Sequence, residues 1–87
     1  MKVVFSLIAF VIAGSTLASP ECTKEPKSKW MSDTKLQQRL KVKGYQVKKF
    51  KTTGNCYEIY GHDKAGKKVE IYFNPVTGEV VKTKSAT

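Results

Sequence analysis

An apolar segment at the start of the chain limits what the remainder can fold into. Lys2 is followed by an apolar run over residues 3–13 and then by small residues, which is the layout of a secretory signal peptide. An uncleaved membrane anchor is the alternative, but the run is shorter than the roughly 20 apolar residues that a spanning helix needs. We therefore expect cleavage after Ala18, so that residues 1–18 are removed and 69 of the 87 residues fold in the periplasm or outside the cell.

A domain of this size needs additional stabilisation, such as a disulfide or a bound metal, because it buries only about 60% of the surface that its unfolded chain exposes. Cys22 and Cys56 are the two cysteines of the chain. Export brings them into an oxidising compartment, so we expect them to form a disulfide. The closed loop of about 35 residues predicts about 3–4 kcal/mol of stabilisation from chain entropy. With a single histidine, these cysteines lack the ligands for a zinc site unless carboxylates complete it.

The first part of the exported chain predicts a leader and then one helix. Residues 19–29 contain two prolines and no apolar run, which predicts an extended leader tied down at Cys22. Ser32 is a good N-cap, and Gly44 can supply the left-handed exit of the helix. We therefore predict a helix over Asp33–Lys43.

Apolar and polar residues alternate through the rest of the chain, which predicts strands over residues 45–50, 56–62 and 68–73 and a short last strand at 79–81. The predicted fold class is α+β: one N-terminal helix packed on a three- to four-stranded antiparallel β-meander, stapled by one disulfide. The first strand alternates imperfectly, and a bulge near Lys48-Lys49 would turn Tyr45, Val47 and Phe50 inward together.

The turns fix the register of these strands. Residues 52–55 have turn chemistry, and a three-residue loop at 64–66 would pair Ile59 with Ile71. Residues 75–78 have the P-x-T-G form that sortases cut, but the hydrophobic span and basic tail of a sorting signal do not follow. We therefore interpret this stretch as a turn that places Phe73 opposite Val80 on the core face, with Gly78 at positive φ.

Taken together, the order and spacing of these pieces cover residues 22–82 and resemble the PepSY domain family in its small secreted bacterial form. The pieces that carry the resemblance are Gly44-Tyr45, Cys56-Tyr57-Glu58, Tyr60, Asp63 to Gly66, Asn74-Pro75 and Thr77-Gly78-Glu79.

The resemblance implies that residues 30–87 form a PepSY-like domain, with an antiparallel sheet packed on a helix. PepSY domains also occur in the propeptides of thermolysin-like metallopeptidases, and the family is proposed to bind and restrain peptidases. No peptidase sequence follows here, so we expect any target to be a separate protein. The family has no agreed catalytic residues to carry over.

The residue pattern offers little for catalysis. His62 is the single histidine and has no evident nucleophile beside it, so we expect a solvated side chain. Glu58 and Glu70 fall on the same outward face of neighbouring strands, where we expect surface salt bridges to lysines. No phosphate-binding glycine loop or metal-ligand array is present in the sequence. We predict a protein that is not an enzyme and needs no cofactor.

The net positive charge is the remaining feature of the sequence that bears on function. Removing Lys2 leaves 15 basic against 7 acidic residues, a net charge of +8. Lys48 and Lys49 on the first strand, with Tyr60 and Tyr72 pointing outward, form a candidate partner surface. We predict a monomer that binds a protein partner, in the first place a peptidase. The alternative is binding to anionic envelope surfaces, lipid headgroups or polyanions, through the lysines. Export argues against nucleic acid as a partner.

Overall fold

The computed structural model describes residues 19–85. The predicted signal peptide, residues 1–18, lies outside the described residues. One helix and four strands follow a short 3₁₀ turn at Lys27–Lys29. No helix within residues 19–85 is long and apolar enough to cross a bilayer.

The helix, α1, spans Asp33–Val42 and so ends one residue earlier than predicted. It lies well inside the chain, ahead of all four strands. Ser32 caps it as expected, since the Ser32 Oγ accepts a hydrogen bond of 3.1 Å from the Lys35 N–H. Gly44 follows the helix with a φ of 98°, the left-handed exit that its lack of a Cβ permits.

The four strands form one antiparallel sheet in the order β1-β2-β3-β4. Their bounds are Gln46–Thr53 for β1, Cys56–His62 for β2, Lys68–Phe73 for β3 and Val80–Ser85 for β4. The predicted α+β meander with one helix is therefore confirmed. Two predictions of extent are wrong: β1 continues to Thr53, where a turn was expected to have begun, and β4 has six residues.

The register agrees with the alternation of apolar residues. Ile59 pairs with Ile71, as the three-residue loop predicted. The register shifts between Val47 and Lys49, which leaves Lys48 as the extra residue of the predicted bulge. The bulge brings Val47 and Phe50 to the same side, where both pack against the core.

The turn at residues 75–78 also forms as predicted. Phe73 pairs with Val80, and Gly78 has a φ of 81°. The Asn74 side chain accepts hydrogen bonds from the Val76 and Thr77 N–H groups, at 2.8 and 3.3 Å. Val80, however, is 50% exposed and does not belong to the core, because it lies at the edge of a gap of about 250 Å³ between α1 and the turn.

The core lies between α1 and one face of the sheet. Its buried side chains are Leu36, Leu40, Tyr57, Ile59, Val69, Ile71 and Phe73. Trp30 closes one end and packs edge-on against Tyr57, with ring centroids 5.4 Å apart.

The disulfide forms between Cys22 and Cys56, as predicted. Since Cys56 points away from α1, the bond fixes the leader against the second face of the sheet. The leader has further ties: the Cys22 N–H donates to Asn55 Oδ1 at 2.8 Å, and Asn55 Nδ2 donates to Glu21 at 3.2 Å. The expectation that the leader is held at Cys22 alone is therefore corrected.

Candidate partner-binding surface

The two edges of the sheet differ in how open they are. β4 is an edge strand, and all six of its residues are exposed, including Val80 and Val81. β1 is the other edge, and both edge strands carry an irregularity, at Lys48 in β1 and between Val80 and Lys82 in β4. However, α1 packs against β1, and three of the eight residues of β1 are partly buried. Unpaired edge strands present free backbone donors and acceptors. The more accessible edge for a partner's extended segment is therefore β4.

The sheet face that points away from α1 carries two cross-strand rows of polar side chains, which we call the polar face. In register order, one row contains Lys49, Tyr60, Glu70 and Lys84, and the other contains Lys51, Glu58, Tyr72 and Lys82. Each row has lysines on the two edge strands and a tyrosine with a carboxyl group between them. The positive charge therefore lies at the sides of this face, and the acidic groups lie at its centre.

Glu58, at the centre of the polar face, is 2% exposed, so the expectation of a solvated carboxylate there is wrong. Its Oε1 accepts a hydrogen bond of 2.7 Å from Thr53 Oγ1. Its Oε2 is buried without a donor among the described residues. A second carboxyl group lies diagonally across from it, on the neighbouring strand β3.

Glu70 is that neighbour. A hydrogen bond from Glu58 lowers the pKa of the Glu70 carboxyl, while burial opposes the shift and Tyr72, Tyr60 and Lys84 add to it. Tyr72 Oη donates to Glu70 Oε2 at 3.1 Å, and Lys84 Nζ lies 3.7 Å from Glu70 Oε1. The two carboxyl groups, which we call the carboxyl pair, therefore lie together at the centre of the polar face, where Thr53, Tyr72 and Lys84 contact their oxygens.

The two tyrosines of the predicted partner surface have different surroundings. Tyr72 is only 8% exposed and clusters with the disulfide, so its ring is not available to a partner as had been expected. Burial, and then its hydrogen bond to Glu70, raise the Tyr72 pKa. Tyr60 is half-buried, and Lys51 Nζ lies 5.8 Å from its ring centroid. Desolvation and hydrogen bonds to the two carboxyl groups raise the Tyr60 pKa to about 12.

The predicted surface residues come together in part. Lys49 is the direct cross-strand partner of Tyr60, and Lys48 lies beside it in the bulge, with both lysines exposed. Tyr72 is opposite Glu58, one row away. Lys48, Lys49 and Tyr60 therefore form a continuous surface at the β1 side, while Tyr72 lies in the other row, beside the disulfide.

The carboxyl pair resembles an acid–base pair in composition, since one member is buried more deeply than the other. However, neither Glu58 nor Glu70 lines the cavities of about 620, 280 and 250 Å³. Thr53 donates a hydrogen bond to Glu58 Oε1, and Tyr72 donates one to Glu70 Oε2. The arrangement is that of a structural hydrogen-bond network. Within residues 19–85, no group of three or more acidic, cysteine or histidine side chains is placed to hold a metal ion.

Alternation along β2 could have revealed the buried carboxyl. Cys56, Glu58 and Tyr60 share one face, so a disulfide to Cys22 necessarily draws the leader across the face that carries Glu58. The disulfide thus holds the leader over this face of the sheet, which amino-acid composition alone does not predict.

The comparison with protein-family models agrees with the architecture. Residues 2–84 match the model described as peptidase propeptide and YPEB domain, PepSY_2. No curated protein and no solved structure matches the chain. PepSY domains resemble propeptides or inhibitors and are not catalytic. Because the match spans nearly the whole chain, this protein belongs to the PepSY family of peptidase propeptide and YPEB domains.

Proposed function

We propose that this protein is an exported binding module that associates with a peptidase and restrains it, and that it is not itself an enzyme. Membership of the peptidase propeptide family is the observation that carries this proposal. The geometry supports it, because a small stapled sheet with one open edge suits recognition by surface complementarity.

The proposed contact combines the open β4 edge with the exposed surface of Lys48, Lys49 and Tyr60. Backbone groups along an edge strand can pair with an extended segment, and side chains beside it select the partner. The bulge at Lys48 and the lysines of both edge strands hinder self-association, so the protein stays a monomer. The two lysines favour a partner with an acidic rim, chiefly by accelerating association.

Affinity capture from an envelope or secreted-protein extract of the producing bacterium tests the proposal. The full exported chain is the bait, and we expect a peptidase that stays bound after a high-salt wash. Binding kinetics then compare Lys48→Glu/Lys49→Glu with the control Lys64→Glu/Lys67→Glu, which makes the same charge change in the β2–β3 turn. Slower association of the first variant alone supports the contact, and failure to capture any peptidase counts against the function.

A second candidate function rests on the lysines of the polar face, which occupy both edge strands. Such a charge distribution suits an anionic lipid surface or a polyanion. Co-sedimentation with vesicles that contain anionic lipid, at low and high salt, separates the two candidates. Salt-sensitive capture by vesicles without any peptidase partner favours the second.

A further inference from the structure

A cavity of about 280 Å³ opens on the sheet surface beside the β1 bulge. The lining comes from the bulge, from the end of β2 and from the start of β3. Its residues are Lys48, Tyr60, Gly61, His62, Lys68 and Val69. The sequence had placed Lys48 and Tyr60 in a partner surface, and it had predicted that the His62 side chain is solvated.

The bulge and Gly61 together create this cavity. Gly61 pairs with Val47, next to the extra residue of the bulge. A Cβ at position 61 would overlap the Gln46 carbonyl oxygen, so β1 can approach β2 this closely only because residue 61 is glycine. The close approach sets Lys48 at the rim of the cavity, across from the start of β3, where Lys68 pairs with His62.

The charge of the lining is positive. Lys48 and Lys68 are exposed, and no acidic side chain lines the cavity. Within residues 19–85 the ion pair of the structure is Lys84 with Glu70, so neither cavity lysine is neutralised. Asp63 follows His62, but its Oδ1 already accepts from the Ala65 and Lys67 N–H groups, at 2.9 Å each.

His62 and Tyr60 contribute their side chains to the wall of the cavity. His62 is half-buried, and its Nδ1 is buried without a hydrogen-bond partner among the described residues, so the cavity meets other atoms of the ring. The cavity therefore has two lysines at its rim and an aromatic and an imidazole ring in its wall.

We propose that this cavity binds a small oxyanion, either a phosphate or a carboxylate group, held by Lys48 and Lys68 beside the His62 ring. One water molecule occupies about 30 Å³ in the liquid, so the cavity has room for roughly nine waters, which is sufficient for one such group with part of its hydration shell. The two flexible ammonium groups supply charge-assisted donors to its oxygens. This site goes beyond the proposed peptidase contact and does not depend on it.

Nuclear magnetic resonance of the imidazole tests the site, since His62 is the single histidine and its signals need no assignment. The full exported chain is titrated with inorganic phosphate and, separately, with acetate, while chloride keeps the ionic strength constant. We expect a saturable shift of the His62 signals with at least one probe. Saturation with phosphate alone identifies a phosphate site, and saturation with acetate identifies a carboxylate site.

Two double variants make the same charge change inside and outside the cavity. Lys48→Gln/Lys68→Gln should weaken binding by roughly tenfold for each lysine removed, as expected for lost charged hydrogen bonds. Lys64→Gln/Lys67→Gln, in the adjoining turn, should leave binding within about twofold. All four lysines are exposed, so both variants should retain the wild-type circular dichroism spectrum. The absence of a saturable shift with both probes, or equal weakening in the two variants, overturns the proposal.

Discussion

Removing the Cys22–Cys56 bond should destabilise the protein by about 3–4 kcal/mol. The bond closes a loop with a sequence separation of 34, and the chain-entropy relation for such a loop gives this value at 25 °C. A domain of this size has a total stability of about 3–10 kcal/mol, so the loss is a third or more of the whole. The corresponding fall in melting temperature is about 12–30 °C.

The assay is urea unfolding of Cys22→Ala/Cys56→Ala beside the oxidised wild type. Trp30 is the single tryptophan and packs against Tyr57, so its fluorescence reports on the core. Asn55→Ala is the matched control. It keeps the disulfide and removes the hydrogen bond from the Cys22 N–H, which should cost about 1 kcal/mol.

Two results would refute this reasoning. Intact mass after alkylation could show two free thiols in the purified protein, which would mean that the bond is not formed. Alternatively, Asn55→Ala could cost as much as loss of the disulfide, which would mean that local contacts, and not loop closure, hold the leader.

Three further predictions concern the turn and the carboxyl pair. Gly78→Val should destabilise the protein by roughly 1–2 kcal/mol or more, since a β-branched residue resists a φ of 81° and a Cβ would lie 3.0 Å from the Arg39 guanidinium. Thr77→Ala, in the same turn, should destabilise it by less than about 1 kcal/mol. Equal melting temperatures of the two variants would contradict this prediction. The folded state lowers the pKa of Glu70 below its ordinary value of 4.5, so the ionised Glu70 stabilises the protein above about pH 4.5, and this stabilisation is lost as the pH falls. The Glu70→Gln variant should therefore lose less stability on acidification than the wild type, as measured by melting curves across this pH range. Identical pH profiles of the two proteins would count against the pKa shift. Glu58→Gln keeps a side-chain oxygen that can accept from Thr53 Oγ1 and should be nearly neutral in urea unfolding, while Glu58→Ala leaves a cavity and should cost roughly 2–3 kcal/mol; similar losses for both would show that this hydrogen bond does not matter.

Residues with local or alternating signals were predictable. The Ser32 cap, the pairing of Ile59 with Ile71 and the Lys48 bulge each follow from short-range sequence features. Each depends on the two-residue alternation of side chains along a strand, or on a cap or turn geometry, and only a few neighbouring residues determine these features. The sheet and its register were therefore accessible from the sequence.

The candidate surface was less accessible, because it depends on what covers each face. Alternation correctly placed Glu58 and Tyr72 away from α1, but their burial follows only when alternation is combined with the disulfide that holds the leader on that face. The exposure of Val80 also depends on its cover, because Val80 occupies a core-facing register position and lines a gap beside α1. The cavity beside the β1 bulge depends on residues of three strands, which no local sequence pattern brings together.

The strand order has a consequence for how the protein reaches its native state. Every strand pairs with its neighbour in the chain, so each hairpin can close over a short loop before any distant contact forms. The disulfide, in contrast, joins residues 34 positions apart. We therefore expect the reduced chain to assemble its sheet rapidly, bringing Cys56 into its place on β2 before Cys22 arrives. Oxidation would then join cysteines that the sheet has already positioned, and with two cysteines no incorrect intramolecular pairing is available to delay it.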